Sequence, residues 1–129
     1  SDCLSGSACK IMSKNIEKIE KVSEDITSSN IDNIDFGNDP LKPEGKVIHR
    51  KGDLRIENVT GGDKIRVNGR GTVLVDGNLT INSNIEYETG SIAGFIVRGN
   101  VFINGDVSRV DGIFYVLKNF DTGYGASKN

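Results

Sequence analysis

The sequence of 129 residues contains no tryptophan, a single histidine and only two cysteines. A structural zinc site needs four ligands, so these residues make a poor set for that metal. The formal net charge is −2, so no excess of positive charge indicates a surface for nucleic acid or for an anionic membrane. The sequence also lacks an apolar run of the roughly 18–20 residues that a membrane-spanning helix needs. These absences argue against a zinc module, a nucleic-acid-binding protein and a membrane span within this sequence.

Glycine, by contrast, is abundant, with 16 residues, and three of the glycines open a phrase that recurs. Each phrase has glycine, then aspartate or asparagine, then two aliphatic residues around a variable one, then a polar residue. It reads GDLRIE at 52–57, GNLTIN at 77–82 and GNVFIN at 99–104. The spacing of 25 and then 22 positions is typical of solenoid proteins, in which one strand per repeat stacks on its neighbour. We predict a mainly β fold: a short right-handed parallel β-helix of about three to four coils.

Stacking the phrases predicts columns of side chains, because side chains alternate between the two faces of a strand. The aliphatic pairs are expected to point inward as the structural core; they are Leu54 with Ile56, Leu79 with Ile81, and Val101 with Ile103. The variable residues are expected to point outward as a candidate binding ladder; they are Arg55, Thr80 and Phe102. Asp53, Asn78 and Asn100 align at the corner, where such side chains can bond the backbone of the next coil.

The strands that precede two of the phrases leave an apolar outer face. Val73, Val75, Phe95 and Val97 alternate inward, so Leu74 and Ile96 are predicted to face outward. Two stacked aliphatic side chains on an outer face are rarely left in water. We therefore expect another element of the chain to cover them.

Residues 8–28 carry the pattern of an amphipathic helix. Met12, Ile16, Ile19, Val22 and Ile26 recur every three or four positions, which places them on one face of a helix. The favoured interpretation is a helix that packs on one face of the solenoid. The alternative is a coiled-coil or filament-forming helix, although a stripe of roughly three turns is too short to hold a coiled coil alone.

The composition divides the chain into three parts: a leader with cysteines and the helix at 1–29, a connector or cap at 30–46, and the solenoid at 47–129. The connector is rich in turn-forming residues, and Phe36 and Leu41 are predicted to cap the first coil. Its aspartates do not follow the 12-residue calcium-loop pattern, so a solvated turn is favoured over a calcium site.

The two cysteines, Cys3 and Cys9, stand close together near the start of the sequence. In an oxidising compartment they would close a short loop, and in the cytosol they would stay thiols. A metal site is the third alternative. We predict a disulfide between Cys3 and Cys9.

Catalytic motifs are sparse. His49 is the only histidine, and the alternation of its strand points it outward into solvent. No serine lies in a nucleophile elbow, and the turn at 61–64 is not a phosphate-binding loop. The outer ladder offers no pair of carboxylates of the kind that glycan hydrolases use. We expect a protein that is not an enzyme and that has no metal and no cofactor.

Two resemblances to known proteins follow from these motifs. The stretch VRGNVFINGDV at 97–107 resembles the core repeat of bactofilins, polymer-forming bacterial cytoskeletal β-helices, whose coils are shorter and more uniform. Residues 64–120, with GTVLVDGNL at 71–79, SIAGFIV at 91–97 and VSRVDGIF at 107–114, resemble uncharacterised predicted surface proteins of minimal-genome bacteria. The resemblance implies a short β-helix at a bacterial cell surface, and no activity is implied with it.

The favoured function is a non-catalytic, extracytoplasmic structural or adhesion module, secreted or on the cell surface. It would display a rigid β-helix face to another protein or to a cell-surface polymer. The first alternative is a bactofilin-like, polymer-forming scaffold that would lie in the cytoplasm and self-associate through its coil ends. The second alternative is a pilin-like or glycan-binding surface subunit. Neither a nucleic-acid partner nor a membrane span in this sequence is expected.

Overall fold

The computed structural model describes residues 7–38, 41, 45–107, 110 and 112–124, with side chains described from residue 14 to residue 121 of these. It confirms the predicted fold class. The chain forms a mainly β solenoid of about four turns, and a short helix precedes it. Every strand pairing in the described residues is parallel, as expected when each coil returns to the start of the next.

The helix α1 spans Ser7–Lys21. The strands in chain order are β1 (Glu24–Asp25), β2 (Asn30–Ile31), β3 (Ile34–Gly37), β4 (Lys46–Arg50), β5 (Leu54–Ile56), β6 (Lys64–Val75), β7 (Leu79–Ile81), β8 (Asn84–Tyr87), β9 (Ile92–Val97), β10 (Val101–Asn104), β11 (Ile113–Val116) and β12 (Phe120–Tyr124).

The strands build three faces, which we call sheets A, B and C. Sheet A has the order β1-β4-β6-β9-β11, and sheet B has the order β2-β5-β7-β10-β12. Sheet C is formed by β3, the first half of β6 and β8. The chain visits the faces in the order A, B, C in the first three coils, and β9 to β12 then alternate between sheets A and B in the described residues. We call the end with β1–β3 the lower end and the end with β11 and β12 the upper end.

The long strand β6 belongs to two faces because it turns a corner at Gly69. Its first half pairs with β3 and β8, and its second half pairs with β4 and β9. Gly69 has φ 87°, a left-handed conformation that glycine adopts without steric cost. A side chain there would also collide with the carbonyl of Gly37 in the coil below. The backbone N–H of Gly69 donates to Ser91 Oγ at 2.8 Å, which ties the corner to the coil above.

The interior of the solenoid contains stacked aliphatic columns. The register pairs Leu54 with Leu79 and Leu79 with Val101, and it pairs Ile56, Ile81 and Ile103 in the same way. All six residues are buried in the interior cluster, as are Val73, Val75, Phe95 and Val97 of sheet A. Parallel strands in register place like side chains directly above one another, about 4.8 Å apart, so each coil buries the next.

The first coil begins earlier in the chain than the composition indicates. The helix ends at Lys21 and not at residue 28. Just beyond this end, Ser23 Oγ donates to the carbonyl of Glu20 at 2.8 Å. Residues 24–37 then form β1, β2 and β3, which pair with β4, β5 and β6. Phe36 is buried in the interior, whereas Leu41 is exposed.

Candidate functional site

A ladder of polar side chains fixes the corner between sheets A and B. Asp53 Oδ1 accepts a hydrogen bond from the backbone N–H of Asn78 at 2.8 Å, and Asn78 Oδ1 accepts one from the N–H of Asn100 at 2.8 Å. Asn100 Oδ1 accepts one from the N–H of Asn119 at 3.1 Å. Each coil is thereby held to the next by a side chain as well as by the strands.

The glycine that opens each phrase makes room for this ladder. A Cβ atom on Gly77 would collide with the side chain of Asp53, and a Cβ on Gly99 would lie 2.5 Å from Asn78 Oδ1. The backbone N–H of Gly77 donates to the carbonyl of Gly52 at 2.9 Å, and that of Gly99 donates to Gly77 at 3.0 Å. The pair of glycine and Asp or Asn is therefore one structural unit, in which the glycine of one coil accommodates the side chain of the coil below.

Directly after this corner, the outer face of sheet B carries the ladder that the sequence singles out. Arg55 is in register with Thr80, and Thr80 is in register with Phe102. The register extends the column to Asn30 below and to Asp121 above. Arg55 and Asp121 are exposed, and Thr80 and Phe102 are half-buried. We call these five residues the outer ladder.

A second polar column runs beside the outer ladder at the far end of the strands. Asn82 Nδ2 donates to Glu57 Oε1 at 3.2 Å, and Asn30 Nδ2 donates to the carbonyl of Glu57 at 3.2 Å. Arg55 Nη1 lies 3.8 Å from the same Glu57 carboxylate. The outer face of sheet B thus combines an aromatic ring, a guanidinium group and several amides on a regular strand spacing. Such a mixture can stack on an apolar surface and bond polar groups beside it.

The outer face of sheet A is different because helix α1 packs against it at β4. Leu74 is fully buried although it does not belong to the interior cluster, and Ile16 of the helix is buried as well. Leu74 and Ile96 are in register on this face. The helix therefore covers the apolar face of sheet A, which leaves the outer ladder of sheet B as the more accessible of the two.

A polar network lies beneath the end of the helix and corrects the prediction for His49. This histidine faces outward, but it is only 3% exposed, and its Nε2 lies 2.9 Å from Asp76 Oδ1. Asp76 is 3.7 Å from Arg98 Nη1, and Arg98 Nη2 is 3.2 Å from Glu20 Oε1 of the helix. The prediction of a solvated histidine is wrong because the helix covers the face to which His49 points.

The same network contains donors of the kind that bind metals. One ligand atom each from Glu20, His49 and Asp76 can be chosen so that all lie within 4.8 Å of one another. The guanidinium of Arg98 already supplies positive charge to both carboxylates, and it would compete with a cation. We interpret the network as an ion-paired latch that joins the helix to three successive coils.

Sheet C carries a row of exposed charges. Arg66 lies 2.9 Å from Glu86 and 3.3 Å from Glu88, and Lys64 lies 3.2 Å from Glu86. The backbone N–H of Gly37 and the side-chain amide of Asn68 both donate to Asp35 Oδ1, and they lower the pKa of that carboxyl below its ordinary value. Exposed ion pairs such as those of Lys64 and Arg66 contribute little to stability.

The predicted disulfide falls outside the part of the chain that the structure describes. Neither Cys3 nor the side chain of Cys9 is among the described residues.

The helix α1 is too short and too polar to cross a membrane.

Comparison with known proteins gives no relatives. No protein-family model matches the sequence, and searches of curated proteins and of solved structures also find no match.

The structure brings Arg55, Thr80 and Phe102 together as one column and adds Asn30 and Asp121 to it. These two neighbours were missed because their coils lack the glycine of the phrase. Lys118 stands before Asn119 at the upper end, and the first coil has no phrase glycine at all. The sequence signal for the last coil was the pair Asn119-Phe120. It matches the second and third positions of the phrase, Asn and then an apolar residue, without the glycine before them.

Proposed function

We propose that this protein is a non-catalytic structural and adhesion module that acts outside the cytoplasm. It presents the outer ladder of sheet B to a protein or to a cell-surface polymer. The observation that supports this most directly is the register of Arg55, Thr80 and Phe102 on an accessible face. Arginine and aromatic residues, phenylalanine included, are enriched at protein interfaces.

The scaffold beneath the ladder supports a role in display. The three central ladder residues, Arg55, Thr80 and Phe102, each sit between two buried side chains; Arg55, for example, lies between Leu54 and Ile56. The corner ladder of Asp53, Asn78 and Asn100 fixes the start of each strand. A surface whose backbone is fixed in advance loses little conformational entropy on binding. The same rigidity suits a flat and extended partner better than a small molecule that must be enclosed.

The chemistry of the ladder supports binding and not catalysis. Arg55, Thr80 and Phe102 offer a cation, a hydroxyl and an apolar ring, and none of these is a general base near neutral pH. The one histidine lies on another face, beneath helix α1.

A binding experiment tests the proposed role of the ladder. The full chain is applied to arrays of purified cell-surface polysaccharides and of extracellular proteins, beside two double variants. We expect Arg55→Ala with Phe102→Ala to weaken binding about tenfold or more, because central anchors carry most of the binding energy. The matched control is Lys64→Ala with Arg66→Ala, which removes exposed side chains from sheet C. Equal binding by the ladder variant and the wild type would contradict the proposal, as would the absence of wild-type binding on both arrays.

The proposed location outside the cytoplasm has its own test. A Cys3–Cys9 disulfide would form in an oxidising compartment and not in the cytosol. We expect protein isolated from its native cells under conditions that trap free thiols to contain none. Two trapped thiols in that protein would argue for the cytoplasm.

A further inference from the structure

The two ends of the solenoid differ in the side chains that lie at the ends of the interior columns. At the upper end, Phe95 and Phe114 stack with ring centroids 4.8 Å apart, and Phe114 meets Phe120 edge to face at 5.4 Å. Phe120 remains 45% exposed and Leu117 39% exposed. In the described residues, β11 pairs only with β9 and β12 only with β10. The upper end therefore presents apolar side chains beside two unpaired strand edges.

In the described residues, the lower end is less suited to further stacking. The inward column of Phe114, Phe95, Val73 and Ile48 ends below at Glu24, an exposed carboxylate paired with Lys46 at 3.2 Å. A charge in an inward position is one of the devices that keep strand edges from pairing. The edge strands β1 and β2 have two residues each, and Ser28 makes local hydrogen bonds with the backbone of Asn30. Stacking an upper end on a lower end would bury Glu24 against Phe114.

Of the two ends, as far as the structure describes them, the upper one is therefore better suited to association, and a single self-complementary end generates a closed pair and not a filament. We propose that two copies bind through their upper ends about a two-fold axis that passes close to Phe120. The first residues of β12 in each copy run antiparallel to those of the other. The contact buries Phe120 and Leu117 at its centre.

The charges beside Phe120 favour this arrangement. Lys118 and Asp121 flank Phe120, and both are exposed. A two-fold axis near Phe120 brings Lys118 of each copy within reach of Asp121 of the other, so the edge is complementary to itself. Opposite charges at such positions set register and partner choice, and like charges oppose pairing.

Pairing through the upper ends would join sheet B of one copy to sheet B of the other. Strand β12 is the upper edge of sheet B, so antiparallel contact between the two β12 edges joins the two B sheets side by side. The outer ladder would then continue from one copy into the other. Dimer formation does not depend on what the outer ladder binds, and the molecular mass of the protein in solution measures it directly.

The test measures the mass of the full chain by sedimentation velocity, from low micromolar to near-millimolar concentration and under reducing conditions that exclude intermolecular disulfides. We expect a reversible equilibrium between monomer and dimer. We also expect hydrogen exchange of the β12 amides to slow as the dimer fraction rises, while exchange of the β1 amides stays unchanged. A monomer over the whole range, or growth beyond the dimer, overturns the proposal.

Charge-swap variants identify the surface. Asp121→Lys places two cations in each contact, and we expect it to raise the dissociation constant about tenfold. The double variant Lys118→Asp with Asp121→Lys restores opposite charges, and we expect its dissociation constant to return to near the wild-type value. Asp63→Lys makes the same charge change in a turn on a different corner and is expected to leave dimerisation unchanged. Equal dissociation constants for all four proteins would show that the copies meet elsewhere and would overturn the proposal.

Discussion

At the scale of the residue, the repeated phrase is explained by the contact between glycine and the polar residue of the coil below. Gly77 and Gly99 lie where any side chain would enter the space of Asp53 and Asn78. The polar side chain in turn satisfies a backbone N–H of the next coil. A buried or partly buried donor left without a partner is costly, so both members of the pair are needed together.

This explanation predicts the cost of adding one methyl group. We expect Gly99→Ala to lower the free energy of unfolding by about 1–3 kcal/mol, because the added atom overlaps the backbone of Gly77 and the side chain of Asn78. Gly94→Ala is the matched control, since a Cβ there would meet only atoms 3.9 Å away or farther. Urea denaturation of the three proteins measures both effects. An equal decrease in the free energy of unfolding for both variants would indicate a general effect of replacing glycine by alanine, and not a steric overlap at the corner.

Single residues also show where sequence reasoning succeeds. The direction of a side chain follows from alternation alone, which is why Leu54, Arg55 and Ile56 could be placed correctly relative to one another. Whether an outward residue is solvated depends on what covers it. His49 bonds Asp76, and Arg98 links Asp76 to Glu20 of the helix. These residues are distant from His49 in sequence, so no local pattern could have shown its burial.

At the scale of the element, the helix and sheet A depend on each other. Leu74 needs a cover, and the stripe of α1 needs an apolar surface. The latch of Glu20, Arg98 and Asp76 fixes the last turn of the helix over the corner of the sheet. Packing of an apolar face supplies most of the stability of a helix this short.

A substitution on the sheet should therefore release the helix. We expect Leu74→Lys to abolish hydrogen-exchange protection in α1 while protection in β7 is largely retained, because a lysine in that position needs water. Thr80→Lys is the control, since it places the same side chain on the outer face of the same coil on sheet B, away from the helix. Helix protection unchanged by Leu74→Lys would show that the helix is held by other contacts.

The limits of the elements were less predictable than their existence. The apolar stripe continues through Val22 and Ile26, yet the helix ends at Lys21 because the following residues pair with β4. Strands of two residues, such as β1 and β2, are too short to show alternation. The first coil was therefore assigned to a connector, even though Ile34 and Phe36 lie in the interior.

At the scale of the whole molecule, each coil contributes to the stability of its neighbours. The interior is one continuous cluster from Ile34 to Ile103, and coils in contact lose stability together in a linear array. A defect in a central coil should consequently affect both ends. A defect on an outer face should affect neither.

Adjacent residues of β7 provide this comparison. We expect Ile81→Asp to lower the free energy of unfolding by more than about 3 kcal/mol, because it leaves a carboxylate without a partner in an apolar interior. Thr80→Asp adds the same group to the outer face and is expected to change stability by less than about 1 kcal/mol. Thermal denaturation followed by circular dichroism measures both. Similar melting temperatures for the two variants would mean that the interior is not packed as a single unit.

The three corners of the coil differ in how they accommodate extra length. The corner between sheets A and B has four residues in the first coil, at 26–29, and three in every later coil, at 51–53, 76–78, 98–100 and 117–119. The corner between sheets B and C varies more, with residues 57–63 in one coil and 82–83 in the next. The pairing of β5 with β7 and that of β6 with β8 both keep an unbroken register despite this difference in corner length. Foreign peptides grafted between Val59 and Gly62 should therefore be displayed without loss of the fold, whereas a single residue inserted between Asp76 and Asn78 would separate the glycine from the side chain that it accommodates.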